Sequence, residues 1–214
     1  MRAPRILTLI FLLAAPALAG CEGVIDPGTG SRLSEDQLIF ARADPGAPPL
    51  DALVVSFWAK PGQTRSAAIR YVGVTNPKYV LCMEFVVPAG ALLQHPDGRR
   101  VEAGDSVRIT VRALDPEAFR FEFEPSGLRF APDQPARLRI SYWWADRDYN
   151  GDGKEDGDDR KIEENLGLWR QERPGELWNR VVAERNESDY EIRANILGFT
   201  RYAVASTRSS DRID

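Results

Sequence analysis

The chain has 214 residues with 28 Lys and Arg against 32 Asp and Glu, one His and two Cys, for a net charge of −4. An acidic balance argues against a nucleic-acid partner, whose phosphates call for a basic face. The length suits one domain with a single hydrophobic core, and one histidine is a poor basis for a catalytic triad.

At the N-terminus Arg2 and Arg5 precede an apolar run from Ile6 to Leu13, and small residues lead to Leu18-Ala19-Gly20-Cys21. The run is shorter than the roughly 20 residues that a transmembrane helix needs. It has the basic, apolar and small-residue zones of a secretory signal. Leu18-Ala19-Gly20-Cys21 resembles the lipobox of bacterial lipoproteins. The resemblance implies that residues 1–20 are a signal peptide and that cleavage leaves Cys21 first. Its sulfur then carries a diacylglycerol and its new amino group an acyl chain. A single chain binds membranes only marginally, each buried methylene adding about 0.8 kcal/mol, so several chains make the anchor stable. The implied location is the bacterial cell envelope, extracytoplasmic. Glu22 in place of Asp favours the outer membrane, at its periplasmic face or the cell surface. Removing residues 1–20 takes two arginines and no acids, which moves the net charge to −6. With Cys21 a thioether, Cys82 has no disulfide partner, and its apolar setting from Tyr79 to Val87 reads as core.

Residues 21–50 are rich in Pro, Gly, Asp and Ser, with breakers at Pro27-Gly28, Pro45-Gly46 and Pro48-Pro49, and read as a lipid-anchored flexible tether. Within it, Ser34 and Gln37 have capping-box spacing, while Leu38 to Ala43 can add an edge strand, the reading preferred here. Beyond Asp51 the hydrophobic period is two. Val107, Ile109 and Val111 alternate with Arg108, Thr110 and Arg112; Phe119, Phe121 and Phe123 with Arg120 and Glu122; Tyr190, Ile192, Ala194 and Ile196 with Glu191, Arg193 and Asn195. Similar segments lie at Leu53–Trp58, Ala67–Val72, Val80–Val87, Leu138–Trp144, Leu166–Gln171, Leu177–Ala183 and Tyr202–Ser206. Many short strands with one wet face and no convincing long helix predict an all-β fold, an antiparallel β-sandwich over residues 51–206. Residues 207–214 read as a polar C-terminal tail.

Val87-Pro88-Ala89-Gly90-Ala91-Leu92, Phe123-Glu124-Pro125-Ser126-Gly127-Leu128-Arg129-Phe130, Ile140-Ser141-Tyr142, Trp178 and Phe199-Thr200-Arg201-Tyr202-Ala203-Val204 follow one another in this order. The series resembles the domain named after zonula occludens and the netrin receptor Unc-five, here the ZU-five-type domain. That resemblance implies an immunoglobulin-like sandwich that mediates protein contacts. One branch of the family cuts its own chain at a His-Phe-Ser step. The matching step here is Gly198-Phe199-Thr200, where Thr200 has a hydroxyl but Gly198 supplies no base, so no self-cleavage is expected.

The segment Asp146 to Asp159 carries seven acids and two bases, a net of −5. Counting twelve from Asp148 places Asp148, Asn150 and Asp152 at one, three and five, Gly153 at six, the carbonyl of Lys154 at seven, Asp156 at nine and Asp159 at twelve. This is the EF-hand calcium spacing, with hard oxygens at alternating positions and a glycine for the sharp turn. Aspartate at twelve resembles the dockerin version of the loop. Glu155 at eight, where paired EF-hands carry an aliphatic residue, and the strand that precedes the loop argue for a lone loop inserted in a hairpin from Leu138 to Gln171. The alternative is a solvated acidic hairpin tip. Bound calcium (Ca2+) would offset the repulsion of so many acids and play a structural part. Without histidine or cysteine the group does not suit catalytic metal.

With Leu138, Ile140, Tyr142 and Trp144 inward, Trp143 faces outward beside the loop. No phosphate loop or nucleophile elbow is present. The expectation is therefore a non-enzymatic envelope module that contacts a protein partner. A surface glycan-binding or adhesive module using Trp143 is the alternative.

Overall fold

The computed structural model describes residues 32–208. Cys21, the signal peptide and most of the C-terminal tail lie outside the described residues. In chain order the elements are β1 (Arg32–Leu33), a 3-10 turn (Glu35–Gln37), β2 (Leu38–Phe40), β3 (Val54–Ala59), β4 (Arg65–Arg70), β5 (Leu81–Val87), β6 (Leu92–Gln94), β7 (Val107–Asp115), β8 (Arg120–Glu124), β9 (Arg129–Phe130), β10 (Ala136–Ser141), α1 (Gly157–Glu164), β11 (Gly167–Gln171), β12 (Trp178–Arg180), β13 (Glu184–Asn186), β14 (Glu191–Ile196) and β15 (Arg201–Thr207).

These strands build an antiparallel sandwich. One sheet runs β1-β12-β11-β15-β8-β7-β3, with β2 beside β15, and the other runs β13-β14-β10-β5-β4. β6 and β9 form a separate ribbon. The alternation seen in the sequence sets the layers. Val107, Ile109, Val111, Phe121 and Phe123 of the first sheet face Phe85, Leu138, Ile140, Ile192 and Ile196 of the second, and all are buried. At the centre Phe85, Phe123, Phe130, Phe199 and Tyr202 pack in tilted and edge-to-face pairs with centroids 5.0–6.1 Å apart, the geometry aromatic quadrupoles favour.

β15 is buried on both faces. Tyr202 and Val204 enter the main core, while Ala203 and Ala205 face outward under a second, smaller core of Leu33, Leu38, Trp169 and Trp178. The indole of Trp169 donates to the carbonyl of Ala205 at 2.9 Å. Trp169 and Trp178 sit on neighbouring strands β11 and β12, joined through Pro174-Gly175.

Two boundaries differ from the sequence reading. From Arg32 onward, the stretch expected as tether is part of the fold. β1 pairs with β12, β2 pairs with β15 from Leu38↔Thr207 to Phe40↔Ala205, and Leu38 is 2 % exposed. Both local signals materialise: Ser34 and Gln37 form a capping box and Leu38–Phe40 is a strand. The composition is tether-like because the segment lies on the outside of the sheet, where only a few apolar side chains are needed. At the other end, Ser206 is buried and Thr207 remains in β15. The supposed hairpin from Leu138 to Gln171 is a crossover. β10 pairs with β14 and β5 in one sheet, whereas β11 pairs with β12 and β15 in the other.

Cys82 is buried on β5 with Tyr71 as its neighbour, and burial pushes its thiol up to about 12. Because the thiolate is the reactive form, an aromatic disulfide reagent at pH 8 is expected to leave Cys82 intact in the folded domain and to titrate it fully in guanidinium. Rapid reaction of the native protein would contradict that burial.

Candidate functional site

The crossover between the sheets is positioned from both sides. After β10 the chain enters through Tyr142, Trp143 and Trp144. Asp44 N–H donates to the Trp144 carbonyl and Asp146 N–H to the Arg42 carbonyl, each at 2.8 Å. The N-terminal segment thus fixes the entry to the acidic loop. On the exit side α1 leads directly into β11.

Between these points the loop folds on its own oxygens. Asp148 accepts from the N–H of Gly151 at 2.8 Å, Asp152 at 3.0 Å and Gly153 at 2.7 Å. Asn150 accepts from Asp152 N–H at 2.8 Å, and Asp152 from Lys154 N–H at 2.9 Å. Gly153 has φ +84° with nothing near a Cβ position, so the turn needs the left-handed backbone that glycine adopts without strain. Asp156 is the N-cap of α1 and accepts from Asp158 N–H at 2.8 Å. Asp159, in the first turn of α1, is 2 % exposed. Its carboxylate accepts from Asn150 N–H and Asp156 N–H, each at 3.0 Å.

One buried carboxylate therefore gathers positions three, nine and twelve of the loop. Asn150, Asp152, Lys154 and Asp156 are exposed and Asp148 is half-buried. The oxygens are a hard set of the kind calcium takes. As placed, they point at backbone amides: among the described residues no three His, Cys, Asp or Glu side chains converge on a common centre for a metal.

Beneath the loop lies a cluster that the sequence reading missed. Arg147 pairs with Glu163 of α1 and stacks over the ring of Tyr190 at 4.3 Å. Tyr142 and Tyr149 are buried with their hydroxyls beside Arg185 and Arg147, and burial raises both phenols above their ordinary range. Trp143 does not stand free. Tyr79 stacks on it with centroids 3.9 Å apart, and Tyr190 meets it edge-on at 4.9 Å. One flat face of the indole, on which a sugar would stack, is occupied by Tyr79. Trp144 donates its indole N–H to the Tyr79 carbonyl at 3.0 Å. The missed signal is long-range, since Tyr79 and Tyr190 come from loops far away in sequence.

The other residues of chemical interest lie apart. His95 bonds Asp105 at 3.1 Å in the segment between β6 and β7. The Glu102 N–H, His95 and Arg99 together hold the Asp105 carboxyl well below the usual carboxylate range. Thr200 is buried, and its hydroxyl donates to the Gln171 carbonyl. Tyr202 donates to the Gly198 carbonyl at 2.8 Å. Compared with known protein families, curated proteins and solved structures, the chain has no match among any of them.

Proposed function

We propose that this chain is a lipid-anchored, calcium-stabilised β-sandwich of the bacterial cell envelope, a ZU-five-type module that contacts another protein rather than catalysing a reaction. The observation that carries the calcium part is Asp159, whose buried carboxylate draws the third, ninth and twelfth loop positions together. Asp148, Asn150, Asp152, Asp156, Asp159 and the Lys154 carbonyl would hold the ion. Calcium supplies charge neutralisation there and no chemical step. The loop joins the two sheets, so an ion in it would restrain the crossover much as a disulfide would, where Cys82 has no disulfide partner among the described residues.

Leu18-Ala19-Gly20-Cys21 supports the anchor. Ten residues separate Cys21 from Arg32, the first described residue, and at about 3.5 Å per residue they reach at most about 35 Å. The domain would then work close to the bilayer surface, within reach of an envelope protein. Expressed with its own leader in a bacterial host, the wild-type chain is expected in the detergent phase on partitioning and Cys21→Ser in the aqueous phase. Crosslinking in intact membranes is expected to trap one recurrent protein partner. A wild-type chain in the aqueous phase would rule out the anchor, and crosslinks without a recurrent partner would rule out the interaction role.

A further inference from the structure

We infer that the outer face of the first sheet binds a neutral oligosaccharide, with one sugar ring stacked on Trp58 and its neighbours hydrogen-bonded by side chains of β3, β7 and β8. This surface is separate from the acidic loop and adds a ligand to the protein contact proposed above. Four of the five tryptophans are engaged within the fold. Trp143 is stacked by Tyr79, Trp144 and Trp169 each donate to a backbone carbonyl, and Trp178 meets Phe40 edge-on with centroids 5.4 Å apart. Trp58 is 55 % exposed, and among the described residues it stacks on no ring and bonds no acceptor. An exposed indole offers an apolar face and an N–H donor together, which suits a ligand that is apolar on one face and hydroxylated at its rim.

Strand alternation puts Ser56 and Trp58 of β3 on the outer face with Arg108, Thr110 and Arg112 of β7 and Glu122 and Glu124 of β8. The register lines them up in rows across the strands: Trp58 with Arg108, Ser56 with Thr110 and Glu124, and Arg112 with Glu122 and Arg201. The N-terminal segment covers the β11 and β15 half of this face with Leu33 and Leu38. Among the described residues the other half is an open concavity of about 800 Å³, lined by Ser56, Arg108, Thr110, Glu124 and Arg201 among others. Ligand sites commonly enclose about 300–1,000 Å³. Trp58 borders it through Arg108, directly across the ladder.

The lining selects the ligand. Four arginines and three glutamates nearly balance, so the concavity favours neither a polyanion nor a polycation. The core of a protein interface is depleted of charged residues, whereas seven line this concavity. Polar groups here are also fixed in advance: Glu122 is held by Arg201 at 2.7 Å and Arg112 at 4.0 Å, and the Ser56 and Thr110 hydroxyls bond at 2.9 Å. Fixed groups lose little freedom when a ligand binds. Arg108 and Glu124 have no ion-pair partner among the described residues, which leaves a donor and an acceptor for sugar hydroxyls, each of which both donates and accepts. A pyranose with equatorial hydroxyls would lay its C–H face on Trp58, an apolar contact, and turn its hydroxyl rim to this grid.

The test titrates the chain without its leader with cello-, chito-, manno- and xylohexaose in a calorimeter, with hexagalacturonate as the acidic comparison. At least one neutral hexasaccharide is expected to bind saturably, and at least about tenfold tighter than the galacturonate, a difference worth about 1.4 kcal/mol. Trp58→Ala is expected to weaken that binding at least about tenfold with its melting temperature retained, because the side chain is exposed. Trp58→Phe keeps an aromatic face and should recover most of the affinity, while Trp143→Ala should leave it unchanged. In the wild-type chain, the bound sugar is expected to shield tryptophan fluorescence from iodide, a readout that needs no variant. Failure of all four neutral sugars to bind overturns the inference, as does full affinity in Trp58→Ala, tighter binding of the galacturonate, or iodide quenching that the sugar leaves unchanged. A protein partner crosslinked in membranes through Trp58 also overturns it, because the face is then a protein interface, and leaves the interaction role standing.

Discussion

Asp159→Ala is expected to lower stability by about 3 kcal/mol, the largest effect of any single change in the loop. Its carboxylate is buried and accepts from Asn150 N–H and Asp156 N–H. A hydrogen bond to a charged group contributes about 1.5–3 kcal/mol, and its loss leaves two donors near the buried base of the loop without an acceptor. Relief of repulsion among the exposed acids opposes this, but screened surface charges contribute less than about 1 kcal/mol each, so the lost bonds win. For a domain of this size the melting temperature is expected to fall by roughly 6–12 °C. Asp159→Asn keeps one acceptor and should fall between wild type and alanine. Asp158→Ala, one residue away, removes an exposed carboxylate paired with Lys161 and should leave the melt nearly unchanged. Equal effects at 158 and 159 would contradict the part given to the buried carboxylate.

The second large effect is expected outside the loop. Leu38→Asp should cost more than about 4 kcal/mol, because it removes a buried leucine and places an unpaired charge in the small outer core. Leu38 packs with Leu33, Trp169, Trp178 and the alanines of β15, and its strand is in register with Thr207. By the same reasoning a chain beginning at Arg32 is expected to melt cooperatively. A chain beginning at Asp51 loses β1, β2, Leu33, Leu38 and Ala41 and exposes Trp169 and Trp178; it is expected to aggregate or to melt without a transition. Equal melts for the two chains, followed by near-ultraviolet circular dichroism, would restore the boundary that composition suggests.

That boundary shows where local sequence stops being informative. β7, β8 and β14 are legible because five or more residues alternate and one face is buried, so period and burial agree. β1, β6, β9 and β13 have only two or three residues, too few to establish a period. Their pairing is decided by strands far away in the chain. α1 escapes for a different reason. Gly157 to Glu164 contains one apolar residue, Ile162, so it has no amphipathic stripe to read. Its support comes from the Asp156 cap and the Arg147–Glu163 pair. The hairpin expected around the acidic loop fails because neighbouring strands in sequence give no indication of which sheet each joins. Within the loop, the spacing places Asp148, Asn150, Asp152, Asp156 and Asp159 in one turn of chain, and the structure adds that Asp159 is its buried member. Trp143 was legible as lying beside the loop, whereas the rings of Tyr79 and Tyr190 against it were not.

Thermal unfolding in calcium and in chelator tests the central claim most directly. At calcium tenfold above a dissociation constant of about 10⁻⁴–10⁻³ M, a site bound only in the folded state adds about 1.4 kcal/mol. The wild-type melt is then expected to rise by roughly 3–6 °C, and Asp148→Ala, which removes the first-position carboxylate, to show no rise. Superimposable wild-type melts in calcium and in chelator would contradict the account.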